Sequence, residues 1–296
     1  MNNQIIKISG LLIFSFLFLQ SCMADLRTKT IKQEGITIEN TKKGKAVLDR
    51  SWKAQGFDKI KNHQVYSFKG KDTWKGMLGR VGKVWPNRKT EMNFKYEVGT
   101  FDGQVAFLDG KRKGEYAGLQ NWNYYEIDDE DKAQFQKPNK RIKFGLAAYQ
   151  YFTEMIDRLR SAPIINYAGE KEFKGKKYDL VFVTWNTEKP HQEADQYIAW
   201  INKETGLMDY TQYTLRESYL KAPGSKAIAG AVEYGDYREV DSILISFEHT
   251  VYGFNMKKRK KKNLHQLVIS DFQFDDFDVE ELRLNKSLAK GGDFKN

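Results

Sequence analysis

The sequence predicts an α+β fold in which one large antiparallel sheet carries helices on one face. Two observations predict it. Most of the chain reads as runs of alternating apolar and polar residues separated by turn residues, the period of half-buried strands. The order is helix, several strands, helix, then a run of strands, whereas a parallel sheet would need a helix after nearly every strand.

Taken in order, the 296 residues begin with Lys7 and an apolar stretch, Ile8 to Leu19, interrupted only by Ser9, Gly10 and Ser15. A spanning helix needs roughly 20 apolar residues, so this shorter run reads as the core of a secretory signal. Its end, "FLFLQSCMADL", holds Cys22, the chain's one cysteine. A lone cysteine excludes an intramolecular disulfide and a Cys-based zinc site. Leu19 and Ser21 before it resemble the lipobox of bacterial lipoproteins, with Gln20 an unusual middle residue. That resemblance implies cleavage after residue 21 and acylation of Cys22, giving stable membrane anchoring; the other reading is an ordinary cleaved signal followed by an incidental cysteine.

Residues 23–43 are polar and read as a tether to a single domain over 44–285, with a frayed tail at 286–296. "GKAVLDRSWKAQG" places Val47, Leu48, Trp52 and Gln55 near helical spacing, and Gly56 closes it. "FGLAAYQYFTEMIDRLRSAP" aligns Leu146, Tyr149, Phe152, Met155, Ile156 and Leu159 on one stripe before Pro163. Strands are expected in "HQVYSFKG", "KTEMNFKYEVG", "NWNYYEID", "KYDLVFVTWN", "DQYIAWINKETG", "MDYTQYTLRESY", "YGDYREVDSILISFEHTVY" and "LHQLVISDFQFDDF". Gly206 closes a hairpin in "INKETGL", and Asp102-Gly103 and Asp109-Gly110 offer two further turns.

The formal charge is +10, and the predicted signal holds only one charged residue, Lys7, so the mature chain stays strongly basic. In an envelope compartment this points to anionic headgroups or acidic glycans before nucleic acid. Lys257, Lys258, Arg259, Lys260, Lys261 and Lys262 form one basic run. It reads either as a solvated hairpin tip or as a contact for anionic headgroups.

Catalytic chemistry finds little support. His63, His191, His249 and His265 have no metal-binding spacing and read as surface or sheet-face residues. No serine sits in a nucleophile elbow, and "APGSKAIAGA" reads as a flexible loop. Asp271, Asp275, Asp276, Asp278, Glu280 and Glu281 lack the glycine and spacing of a calcium loop and read as a solvated acidic edge. Neither a cofactor nor a metal is expected.

Aromatic residues are the remaining signal. Trp85, Phe94, Tyr96, Trp122, Tyr124, Phe182, Trp185, Tyr197 and Trp200 nearly all fall on expected strands, so one sheet face should be lined with rings. Such a face is either the core beneath the helices or the wall of a cavity for an acyl chain.

"AVLDRSWKAQGFDKIKN", the "FDG" turn, "RLRSAP", "IAWINKETGLMDYTQY" and "YGDYREVDSILISFEHTVYG" together resemble the superfamily of periplasmic lipoprotein carriers and outer-membrane lipoprotein receptors (Lol-like), nearest to uncharacterised envelope lipoproteins. The resemblance covers about residues 45–280. It implies a curved, half-open antiparallel β-barrel with helices packed in its concave face. Relatives often carry glycine and proline where Ser242 and Ser246 stand, which implies a more regular strand here. The function expected is a non-enzymatic outer-membrane lipoprotein, facing the periplasm, that binds a lipid or acyl chain inside the barrel. The alternatives are an envelope scaffold or assembly protein with a filled interior and, from a third class, an envelope hydrolase.

Overall fold

The computed structural model describes residues 23–128, 130, 132–216, 219, 225–253 and 263–288. Cys22, the apolar leader, the basic run Lys257 to Lys262 and the end of the tail lie outside the described residues.

Among the described residues thirteen strands form one antiparallel sheet. They are β1 (Val65–Trp74), β2 (Lys89–Glu97), β3 (Gly103–Phe107), β4 (Tyr116–Gln120), β5 (Asn123–Ile127), β6 (Ala133–Phe135), β7 (Ile164–Phe173), β8 (Lys176–Thr184), β9 (Gln196–Asn202), β10 (Met208–Thr214), β11 (Ala229–Val240), β12 (Ile243–Gly253) and β13 (His265–Phe274). Their order, β6-β5-β4-β3-β2-β1-β13-β12-β11-β10-β9-β8-β7, joins sequence neighbours everywhere except at the β1–β13 pairing, and β6 and β7 do not close the ring. The half-open, curved α+β architecture is therefore the one expected.

The described helices are α1 (Lys29–Glu34), α2 (Ile38–Ala54), α3 (Gly76–Gly82), α4 (Lys140–Thr153) and α5 (Met155–Arg160), with short 3-10 turns between strands. One apolar cluster draws side chains from every strand but β6, together with α2, α4 and α5. A flat sheet of this width could not bring them into one cluster, so the sheet must curl around the helices. Helix α4 touches β3, β4 and β12, strands far apart in the order. It is a plug inside the curl.

Helix α2 lies over β7, β8 and β9 at the opposite side of the curl. Its Thr37 N-cap accepts from Asn40 N at 3.1 Å, and Gly56, at φ 72°, follows its end as expected. Close approach rests on Gly44: a Cβ there would come 2.7 Å from Tyr167 N and 2.8 Å from Asn166 C, both backbone. Gly44→Ala should therefore push α2 off β7 and cost about 1–3 kcal/mol. Chemical denaturation reads this directly; a midpoint matching the wild type would show that the contact yields without strain.

Several expectations change. The 23–43 stretch is not a free tether, because Leu26 and Ile31 are buried against Ala168, Phe182, Ile198, Trp200 and Tyr210 on the outer face of the sheet. Apolar residues on that face require cover, and a polar-looking segment with two well-spaced apolar residues supplies it. The second predicted helix starts earlier, at the Asn139 cap, and breaks at Glu154. "YGDYREVDSILISFEHTVY" is two strands joined at Asp241 and Ser242, whose φ values of 49° and 64° suit a two-residue hairpin turn. Ser242 thus does not regularise a strand; it occupies a left-handed turn position that glycine fills without strain. Ser246 lies within β12, where its hydroxyl donates to Gly235 O at 2.9 Å.

Of the two Asp-Gly pairs, only Asp109-Gly110 turns, with Gly110 at φ 74°. Gly103 opens β3 because a Cβ there would meet the Tyr96 ring at 2.2 Å, and Gly99 makes the turn instead. The Gly206 hairpin forms as expected, at φ 75°. Within "APGSKAIAGA", the last residues are not loop but the start of β11.

Candidate interior site and the two rims

The nine aromatic candidates do not share one face. Trp85, Phe94, Tyr96 and Tyr124 are buried in the concave core, and Trp185 and Tyr197 pack at its edge. Phe182 and Trp200 point to the outer face under residues 24–31. The period-two rule explains the split: Val181 and Val183 flank Phe182 and face inward, as Ala199 and Ile201 do around Trp200. Trp122 is in the β4–β5 turn at φ 62°, its ring tilted against Phe101 with centroids 4.7 Å apart.

Inside, the rings pack on one another. Trp85 meets Tyr149 edge-on at 5.1 Å and Phe94 at 5.6 Å, while Phe68 stacks on Phe94 at 4.9 Å. Among the described residues the interior pocket between Phe57, Phe152, Met155, Tyr234 and His249 has a volume of about 10 Å³. That is room for one water at most, against the 300–1,000 Å³ of typical small-molecule sites.

Two buried polar clusters, neither foreseen from sequence, fasten the plug to the sheet. In the first, Asp72 accepts from the Tyr149 hydroxyl at 2.6 Å, from the Trp74 indole N–H, and lies 3.2 Å from His265 Nδ1. The His265 ring stacks on Trp74 at 4.1 Å, so this histidine is a core residue shared by β1, β13 and α4. In the second, Glu154 at the α4–α5 break accepts from Arg158 Nη2 (2.7 Å), the Tyr66 hydroxyl (3.1 Å), Gln150 Nε2 (3.1 Å) and Gly99 N (3.2 Å). Burial pushes the Glu154 carboxyl up, against the pull of Arg158. Burial also raises the Tyr66 and Tyr149 hydroxyls well above the usual phenol range, so both stay neutral donors.

The acidic segment after β13 is structural rather than merely solvated. Asp275 accepts from Gln64 N and Val65 N at 2.8 and 3.2 Å and pairs with His63, holding the start of β1. Asp278 and Glu281 form a capping box. Among the described residues no group of three or more His, Cys, Asp or Glu is placed to hold a metal ion.

The antiparallel register defines two rims. One carries the β1–β2, β8–β9, β10–β11 and β12–β13 connections: Trp74 lies opposite His265, Thr184 opposite Gln196, and Thr214 opposite Ala229. The described chain also enters here, where Ala24 N donates to Lys226 O at 3.0 Å and Leu26 N to Gln196 Oε1 at 2.9 Å. The other rim carries the Gly99, Gly175, Gly206 and Asp241-Ser242 turns.

An open, curled antiparallel sheet plugged by helices is the architecture of the LolA superfamily and of outer-membrane lipoprotein-sorting domains, and the chain has this fold. A domain from Vibrio parahaemolyticus described as an outer membrane lipoprotein-sorting protein superposes with a TM-score of 0.53 at 10% identity, covering 82% of this chain and 97% of that one. A LolA superfamily protein from Nitrosomonas europaea gives 0.50 at 8% identity over 81% and 96%, and a DUF1329 family protein from Desulfovibrio piger ATCC 29098 gives 0.50 at 12% over 80% and 95%. At these identities the likeness is one of fold. No protein-family model and no curated protein matches the sequence.

Proposed function

We propose that the protein is a non-enzymatic envelope lipoprotein, anchored through Cys22 at the outer membrane and facing the periplasm, that works as a scaffold or assembly module through its surface. The observation that supports this reading is the packing beneath the plug: rings and two hydrogen-bonded clusters lie between the helices and the sheet, and the pocket beside His249 measures about 10 Å³. Among the described residues no helix is long and apolar enough to cross a membrane; in this reading the acylated cysteine holds the protein at the bilayer. Native mass spectrometry of protein extracted mildly from envelopes should give the polypeptide with its N-terminal acyl groups and no further lipid. A stoichiometric extra lipid would overturn the scaffold reading. Fatty-acid labelling that persists in Cys22→Ser would overturn the anchor.

A second reading has a specific observation behind it. Helices α4 and α5 meet at a break fixed by Glu154 and are tied by polar clusters, so the plug is a discrete unit resting on an apolar concave face. The same structure would then be the closed form of a carrier for an acyl chain, lined by Trp85, Phe94, Tyr96 and Tyr124 at its centre and by Trp185 and Tyr197 at its edge. Phe182 and Trp200 take no part in this lining, and the headgroup contact would fall to the Lys257 to Lys262 run. Lipid that co-purifies only when Glu154→Gln and Arg158→Met are combined would favour this carrier.

A further inference from the structure

Helix α3, in the β1–β2 connection, presents three large apolar side chains to solvent: Met77 is 78% exposed, Leu78 77% and Val81 59%. Nothing in the core explains them. Such side chains side by side on one short segment are the kind of surface that soluble faces avoid and contact faces use. The helix is nevertheless held firmly. Lys75 N donates to Leu264 O at 2.8 Å, Arg141 Nη1 donates to Val81 O and Lys83 O at 2.8 and 2.7 Å, and the Tyr219 hydroxyl donates to Gly82 O. Gly79 lets the helix lie against Trp74, since a Cβ there would come 3.0 Å from the Trp74 carbonyl carbon.

The surroundings are cationic. Lys75 and Arg80 lie on the same seven-residue helix and its cap, both exposed and without an ion-pair partner among the described residues. Lys83, Arg141 and Lys111 gather behind them, close enough that burial, and then repulsion from the other two, holds the Lys83 ammonium below its usual range. An apolar tip ringed by cations matches an interface whose apolar layer lies beneath an anionic one. The chain's own course agrees. Ala24 O is held by Arg216 Nη2 on this rim, three residues before Tyr219 contacts α3, so the described chain begins on the rim that carries the helix.

We infer that α3 docks this rim on an anionic bilayer surface, with Met77, Leu78 and Val81 inserted among the headgroups and Lys75 and Arg80 on the phosphates. The Gly206 rim then faces away from the membrane. This orientation does not depend on acylation of Cys22, and its test removes that cysteine.

In the full chain carrying Cys22→Ser, Leu78→Cys is labelled with an environment-sensitive fluorophore, and Glu204→Cys on the opposite rim serves as control. With phosphatidylglycerol-containing vesicles, the label at 78 should shift to the blue and be quenched by bilayer-embedded nitroxide lipids, while the label at 204 stays aqueous. Lys75→Glu with Arg80→Glu should raise the anionic lipid needed for half the shift roughly tenfold. A label at 78 that remains aqueous on vesicle-bound protein overturns the inference. So does equal quenching in purely zwitterionic vesicles, or a blue shift without vesicles, which would mean that another segment of this chain or a second copy covers α3. Loss of fatty-acid labelling at Cys22 would leave these outcomes unchanged, so the anchor and the docking face fail separately.

Discussion

Arg283→Met should lower stability by about 3–5 kcal/mol, the loss expected when one partner of a buried ion pair is removed. Arg283 follows the last strand, and its guanidinium is buried between two buried carboxylates. Nη1 donates to Asp102 Oδ2 at 2.5 Å and Nη2 to Glu97. Burial draws its basicity down and the two carboxylates draw it further up, so it stays charged. Removing it leaves two like charges, on side chains 5% and 0% exposed, facing each other out of water. A lysine in its place restores charge without the planar fork, so Arg283→Lys should recover only part of the loss. Urea denaturation of the three proteins gives the ranking. Equal midpoints for wild type and Arg283→Met would mean that the C-terminal segment contributes no clamp, despite its second tie through Gln120 and Asn285 at 2.9 Å.

Acidification should destabilise the protein well before its carboxylates titrate, and His249 is the reason. Burial lowers its pKa from 6.5 to about 3, with repulsion from nearby His265 in the same direction. Between these two values the unfolded chain binds a proton at this position and the folded chain does not. Stability is therefore fully present above about pH 6.5 and is lost as pH falls, at up to about 1.4 kcal/mol per pH unit. Carboxylates held below their usual range, such as Glu233 and Asp275, contribute in the same direction only at lower pH. Between pH 6.5 and 4.5 the raised Glu154 carboxyl acts in the opposite sense, binding its proton first in the folded chain, so the histidine is read as the difference between wild type and a His249 variant. His249→Phe, in a pocket already built of Phe152 and Tyr234 rings, should flatten the stability profile across that window. A mutant slope equal to that of the wild type would assign the acid sensitivity elsewhere.

How much of this was readable beforehand differs by element. Strand β8 was legible as a continuous apolar run between turn residues, and a strand with near-strict alternation, such as β2, was legible because each residue's face follows from its parity. The α2 and α4–α5 stripes were legible for the same reason at helical period. Helix α3 was not, because "GMLGRVG" has neither period nor cap, and it is held by Arg141 and Leu264 from distant segments. The outer-face cover by residues 24–31 was hidden too, since two apolar residues among charges carry no periodic signal.

The polar clusters show the same limit from another side. Asp72 and Trp74 flank Thr73 on one strand, but His265 comes from another strand and Tyr149 from the plug, up to 193 residues away. Only the β1–β13 pairing, the one non-sequential step in the strand order, brings them together.

By itself the sequence determined the two main helices and most of the long strands, the α+β class, the expectation of a leader ending at Cys22 and the absence of a recognisable catalytic motif. Local chemistry suffices for these, because periodicity, turn residues and one cysteine's position are properties of neighbours along the chain. The tertiary structure alone decided how the rings pack beneath the plug, that they divide between two faces and that a basic, apolar tip stands on the rim where the described chain enters the fold. These depend on how far a thirteen-strand sheet curls and on which side chains that curl brings into contact, and no stretch of sequence encodes that by itself.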